Sequence, residues 1–244
     1  MGYSILAVRT SDDDDGRLHP ALSDGHTMVL EPLDGAPSWV HARGLIVSEM
    51  VADGLRTHLR IGNVKVDVMI SDARLAVGCV NFDSGEQRSP GIRTAILVKS
   101  LGSVTPDDGA GYGRMLVGHV RYPWLRCVGF KPRTGWRSRD ELRLGVVARA
   151  PDGDERELFL DVQLPRGVDS ASLARSVVAK AARYHLAYSE VTDEVERDSY
   201  EHLAEGPRLA PAGPTEFALY RLPSESFVSA ISAYPPPIVP AEVE

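Results

Sequence analysis

The chain has 244 residues, a hydrophobic fraction of 43% and a charged fraction of 25%, enough apolar material for a substantial core. Its net charge of −7 disfavours double-stranded nucleic acid and anionic membrane surfaces as partners of the whole molecule. No apolar run approaches the ~20 residues of a membrane span. The N-terminus does not read as a signal peptide: the apolar stretch Tyr3–Val8 is short and meets the acidic run Asp12–Asp15 at once. Met1-Gly2 opens like a myristoylation signal, but Leu6 stands where Ser or Thr belongs. A cytoplasmic location is expected. Arginine outnumbers lysine 23 to 4, which suggests a GC-rich, bacterial genome.

In chain order, Tyr3–Val8 reads as a strand, Asp12–Asp15 as a solvated acidic loop lacking the spaced ligands and closing Glu of a calcium loop, and Thr27–Leu30 as a second strand. From Leu55 the pattern is period two. Leu55, Thr57, Leu59 and Ile61 alternate with polar residues, Gly62-Asn63 offers a hairpin turn, and Val64, Val66, Val68 and Ile70 return. Ser71-Asp72-Ala73 turns again, and Leu75, Val77 and Cys79 continue the meander. Residues 82–93 and 102–113 read as loops around a strand at Ala95–Lys99. Met115–Tyr122 and Leu125–Phe130 read as strands or as one bent strand broken at Pro123, and strands follow at Leu142–Ala148 and Leu158–Leu164, with Pro151-Asp152-Gly153 as the last turn.

The period then changes to that of a helix. Leu173, Val177, Ala181, Tyr184 and Tyr188 form a stripe over Val168–Tyr188, Asp169 or Ser170 caps it, and Arg175, Lys180 and Arg183 lie off it. The stripe is rich in alanine, which suits packing on a sheet better than insertion into lipid. A short acidic helix is expected near Asp193–Glu205, capped by Asp193 and stopped by Gly206-Pro207. Residues 207–244 read as a Pro-rich, partly disordered tail in which Thr215–Leu222 and Phe227–Ile231 are apolar enough to dock.

The segment Val66-Asp-Val-Met-Ile-Ser-Asp-Ala-Arg-Leu-Ala-Val77 is similar to the strand, T-D-x-R-L, strand signature of GRAM-like domains, with Ser71 in place of Thr. With the order of about seven antiparallel strands and then one helix, residues 45–190 resemble a bacterial pleckstrin-homology-like domain. The resemblance implies a mainly β (α+β) fold: a seven-stranded antiparallel sandwich or barrel closed by a C-terminal amphipathic helix. Residues 1–44 would be an N-terminal extension with one or two strands, 191–206 the acidic helix and 207–244 the tail. Pleckstrin-homology domains take phosphoinositides in the loop after their first strand. With only Gly62-Asn63 there, beside Arg60 and Lys65, that mode is not expected.

Candidate chemistry concentrates between Arg121 and Arg149, where eight basic residues face two acidic ones. Arg121, Arg126, Lys131, Arg133, Trp136, Arg137 and Arg139 make up the candidate ligand or partner surface, with Tyr122, Trp124 and Phe130 among them. Guanidinium groups grip carboxylate or phosphate bidentately, and aromatic rings add stacking surface. Three readings stand side by side: a surface for a protein segment or anionic ligand, arginines decorating strands over an aromatic core, or an internal patch covered by the acidic segments 1–50 and 191–206, each of net charge −5.

No catalytic constellation, metal site or cofactor motif is expected. The histidines lack HxH, HExxH or HxxxH spacing, there is no GxSxG, and Gly109–Gly113 lacks the third glycine and following helix of a phosphate loop. Cys79 and Cys127, in apolar runs, are expected to be buried hydrophobes. The leading expectation is a non-enzymatic binding or scaffolding module. The alternatives are a small enzyme built from scattered residues such as His58, His119 and Asp67, and a structural subunit of an oligomer.

Overall fold

A computed structural model describes residues 6–9, 19–22, 27–80, 115–135, 138–149, 154–189, 191–213 and 215–223. The expectations for Asp12–Asp15, residues 82–113 with the strand Ala95–Lys99, the turn at 151–153, Phe227–Ile231, Trp136 and Arg137 lie outside the described residues.

The described residues form one antiparallel sheet and two α-helices. The strands are β1 (Leu6–Arg9), β2 (Ser38–Val51), β3 (Gly54–Ile70), β4 (Arg74–Val80), β5 (Met115–Arg121), β6 (Leu125–Lys131), β7 (Glu141–Arg149), β8 (Glu155–Gln163) and β9 (Ala218–Arg221). Their order is β1-β5-β4-β3-β2-β8-β7-β6-β9. Strands β2 to β8 thus run as a meander whose first and last members also pair, Leu45–Glu49 lying against Leu158–Val162. The sheet does not close. β5 and β6 meet at the 3-10 turn Tyr122–Trp124 without pairing, and the two free edges receive β1 on β5 and β9 on β6.

Three strand expectations change. Gly62-Asn63 is not a turn: it lies inside the 17-residue β3, and the hairpin instead closes at Ala52-Asp53, where Val51 pairs with Gly54. Gly62 stands opposite Gly44, beside the register shift between Ala42 and Gly44, and a side chain on Gly44 would run into the Ile61 carbonyl. The glycines allow two long strands to bend at close approach, which mimics a turn in sequence. The residues before Leu45 are also not all outside the meander, since β2 begins at Ser38. Thr27–Leu30 forms no strand and contributes one bridge, Leu22 to Met28.

The alternating positions deliver the core. Leu142, Leu144, Val146 and Ala148 of β7 and Leu158, Leu160 and Val162 of β8 are buried, together with Val128 and Phe130 of β6. The turn residues Tyr122 and Trp124 are wholly buried at the seam. A smaller cluster of Leu22, Met28, Met69, Ala76 and Val117 covers the opposite face of β3, β4 and β5.

Helix α1 (Ser170–Tyr188) packs on β6, β7 and the 3-10 turn, and α2 (Glu194–Ala204) packs on α1. The caps follow the chemistry of short acceptors: the Asp169 carboxylate accepts from Ala171 N at 3.0 Å and that of Asp193 from Glu196 N at 2.8 Å. The buried face of α1 is broader than the expected stripe. Ala174, Val177, Val178, Ala181, Ala182 and His185 are buried, whereas Leu173 is half-buried and Tyr188 is exposed. Contact with both sheet and α2 explains the breadth, and His185 stacks on Tyr200 of α2 at 4.8 Å. Neither helix is long and apolar enough to cross a membrane.

Candidate functional site: two arginine clusters

The structure divides the expected basic surface in two. Arg121, at the end of β5, is buried, and its two terminal nitrogens donate to the two oxygens of Glu31 at 2.7 Å each. It belongs with Arg74, the arginine of the Ser-Asp-Ala-Arg-Leu segment. Arg74 is fully buried: it donates to both Asp34 oxygens at 3.1 and 2.7 Å, to Glu31 at 2.5 Å and to the Val29 carbonyl at 3.0 Å.

The turn before Arg74 aims it. Ser71 Oγ accepts from the backbone N–H groups of Ala73 and Arg74 at 3.1 and 3.0 Å, and Tyr122 OH donates to the Ser71 carbonyl at 2.8 Å. Asp72 of the same turn is ion-paired to Lys180 of α1. Burial raises the Asp34 carboxyl, but hydrogen bonds from Arg74 and Ser71 and the Arg74 charge outweigh it, and the group lies below the ordinary carboxylate range. Residues 29–34 are therefore tied to β4 and β5 by two shared arginines.

Arg126 points elsewhere. It lines a groove of about 500 Å³ with Val147 of β7, Glu155, Arg156 and Glu157 of β8, Arg221 of β9 and Leu222. The start of β6, the end of β7 and the start of β8 meet here, and β9 arrives alongside because Cys127 pairs with Arg221 and Leu222 N donates to the Arg126 carbonyl at 2.9 Å. Arg126 donates to Glu155 at 2.9 Å with the Glu155 side chain 57% exposed, so this pair is a weak one. Arg156 donates to the buried Glu49 at 3.0 Å, which also holds His58 Nε2 at 3.0 Å. Arg221 is exposed and has no ion pair among the described residues.

The remaining candidates follow β6 outward. Lys131 is ion-paired to Glu141 at 2.6 Å and sits 4.8 Å from the Phe217 ring. Arg133 is exposed and Arg139 half-buried, at either end of a loop whose Thr134 and Gly135 N–H groups donate to Ser138 Oγ. Arg143, outside the expected set, holds Asp161 through two 2.7 Å bonds and stacks on Phe217 at 3.9 Å.

Compared with protein-family models, curated proteins and solved structures, the chain matches none of them. The site therefore rests on its own geometry. Sequence reading found Arg126 but missed Arg156 and Arg221, the first lying between the expected turn at 151–153 and the expected strand Leu158–Leu164, the second in a segment read only as apolar.

The alternative catalytic residues do not line the groove, and each has its own partner. Asp67 holds His41 at 2.5 Å, His58 holds Glu49, and His119 lies 3.3 Å from Arg74. Among the described residues no three His, Cys, Asp or Glu side chains converge as a metal site would require. Both thiols are buried, and burial pushes Cys79 up to about 11 and Cys127 to about 12, with the Asp67 and Glu157 charges adding respectively. Thiols held so far from the thiolate are poor nucleophiles.

Proposed function

We propose that the protein is a non-enzymatic binding module of pleckstrin-homology-like fold that recognises an acidic segment of a partner protein. The observation that carries this reading is the groove that Arg126, Arg156 and Arg221 line together with Glu155, Glu157, Val147 and Leu222, three cations to two carboxylates. The Glu155 carboxylate on Arg126 is solvent-exposed, so an incoming carboxylate competes with one already solvated. Arg221 beside it is exposed and offers its guanidinium for forked contacts to carboxylate oxygens. Val147 and Leu222 in the lining give a peptide's side chains something to pack on that a bare anion would not use.

The fold assignment is supported by the seven-strand meander β2–β8, the pairing of its first and last strands, the opening between β5 and β6, and the helix that follows and packs at that opening. The first hairpin is again a two-residue turn, now Ala52-Asp53, which is too small to wrap a phosphoinositide headgroup.

Fluorescence anisotropy with a labelled octaglutamate peptide at low salt tests the groove. Arg126→Glu with Arg221→Glu is expected to weaken binding by at least about tenfold, while Arg133→Glu, outside the groove, changes it little. Circular dichroism should show the fold retained in both variants. Equal binding by the double variant, or an equal loss from Arg133→Glu, would overturn the reading.

A further inference from the structure

Among the described residues, strand β9 is tied to the sheet on one side only. It pairs with β6 from Cys127–Arg221 to Phe130–Ala218, forms the edge of the sheet, and is reached from α2 through residues 205–217. Its alternate residues enter the main core: Ala218, Tyr220 and Leu222 are 4%, 5% and 6% exposed. The other face is seated as closely. Leu219 fills the space a side chain on Gly129 would take, and Phe217 lies over Arg143 and Lys131. Two tyrosines strap its ends, Tyr220 OH donating to the Pro207 carbonyl at 2.9 Å and Tyr200 OH to that of Pro223 at 3.2 Å.

Without β9, the edge of β6 would present unpaired N–H and C=O groups beside three core positions, which is what an extended peptide needs in order to add as a strand. The chain supplies that strand itself. We propose that the β6 edge is a strand-docking site which β9 occupies in cis, and from which an extended partner segment with small, aromatic and aliphatic residues at alternate positions displaces it.

This goes beyond the groove and constrains it. Arg221 and Leu222 line the groove only while β9 is seated. A foreign strand on β6 and a complete groove therefore exclude each other, and an acidic ligand in the groove holds β9 in place. The coupling must be reciprocal.

The occupant is read from what sits there now, so the probe is a labelled peptide of residues 216–223, Glu-Phe-Ala-Leu-Tyr-Arg-Leu-Pro. A tethered strand competes at an effective concentration on the order of millimolar, so the wild-type chain should bind this peptide only weakly. Tyr220→Ala in the full chain removes the largest buried side chain of the cis strand and leaves the docking site intact. It is expected to tighten peptide binding by at least about tenfold.

A second variant locks the strand. Leu222 N bonding to Arg126 O puts Cys127 and Arg221 in the non-bonded rank of the ladder, with Cα atoms about 4.5 Å apart, within disulfide reach. Oxidised Arg221→Cys should be an internally linked monomer that does not bind the peptide, and reduction should restore binding. Equal affinity of Tyr220→Ala and wild type, or binding to the oxidised form, would overturn the proposal. A disulfide-linked dimer as the main oxidised product would overturn the assignment of β9 to its own chain. Should Tyr220→Ala not fold, the oxidised and reduced pair decides alone. None of these measurements uses the acidic peptide, so failure of the groove leaves this result standing, and the reverse.

Discussion

Arg74 begins β4 and Arg126 stands second in β6, with only β5 between those strands in the chain order, yet the two serve opposite ends. Arg74 is wholly enclosed, and its guanidinium is spent on Asp34, Glu31 and the Val29 carbonyl. Arg126 is half-buried, ion-paired to the exposed carboxylate of Glu155, with an open groove beside it. A buried cation must be fully matched because an unmatched charge in a poorly polarisable interior is costly, whereas an exposed one keeps water as an alternative partner. The first kind of arginine fixes structure, and the second is the kind the proposed binding role requires.

The largest expected effect breaks the enclosed cluster. Arg74→Ala leaves Asp34 buried and unpaired and should cost about 3–5 kcal/mol of unfolding free energy, read from urea denaturation of the full chain. A loss below about 1 kcal/mol would mean that water already reaches the cluster, and the contrast with Arg126 would collapse.

Acidity sharpens the same contrast. The folded Asp34 carboxyl lies below its ordinary value of 3.8, so below that pH the unfolded chain takes up the proton first. Its contribution is complete above pH 3.8 and is lost as the pH falls through the lower folded value. His185 acts earlier. Burial lowers its pKa below 6.5 against the pull of the Tyr122 carbonyl and Glu196. The unfolded chain is protonated first from about pH 6.5 downward, and stability falls there too. Denaturation midpoints between pH 7.5 and 5 should decline in the wild type and decline less in His185→Gln; parallel slopes would remove His185 as the cause.

The smallest effect belongs to the groove. Arg126→Ala and Arg221→Ala should each change stability by no more than about 0.5 kcal/mol, since exposed charges contribute little. A loss comparable to that of Arg74→Ala would move these arginines into the structural class and remove the ground for the binding proposal.

Much of the mainly β organisation could be read locally. Period-two runs located β4 to β8, and the change to a helical period at Val168 located α1, because burial of one face leaves its mark within a few residues. The acidic cap at Asp193 and the stop at Gly206 likewise delimited α2. Local chemistry failed at Gly62-Asn63, where close approach of a second strand demands the same glycine that a hairpin would use. The site was less legible: Arg126 stood out in a basic stretch, but its neighbours Arg156 and Arg221 lie 30 and 95 residues further on.

What the amino-acid sequence determined by itself is therefore the identity of β4 to β8 and of the two helices, since hydrophobic period, caps and breakers act over a few residues; β2, the unbroken β3 and β9 emerged only in the fold. Which arginine is enclosed and which is open was decided only by the tertiary structure. Arg121 and Arg126 are five positions apart, and nothing between them announces that the loop at 29–34 folds back over one while β9 arrives beside the other. Solvent exposure is a property of the packed assembly, and it is exposure that separates a structural charge from a binding one.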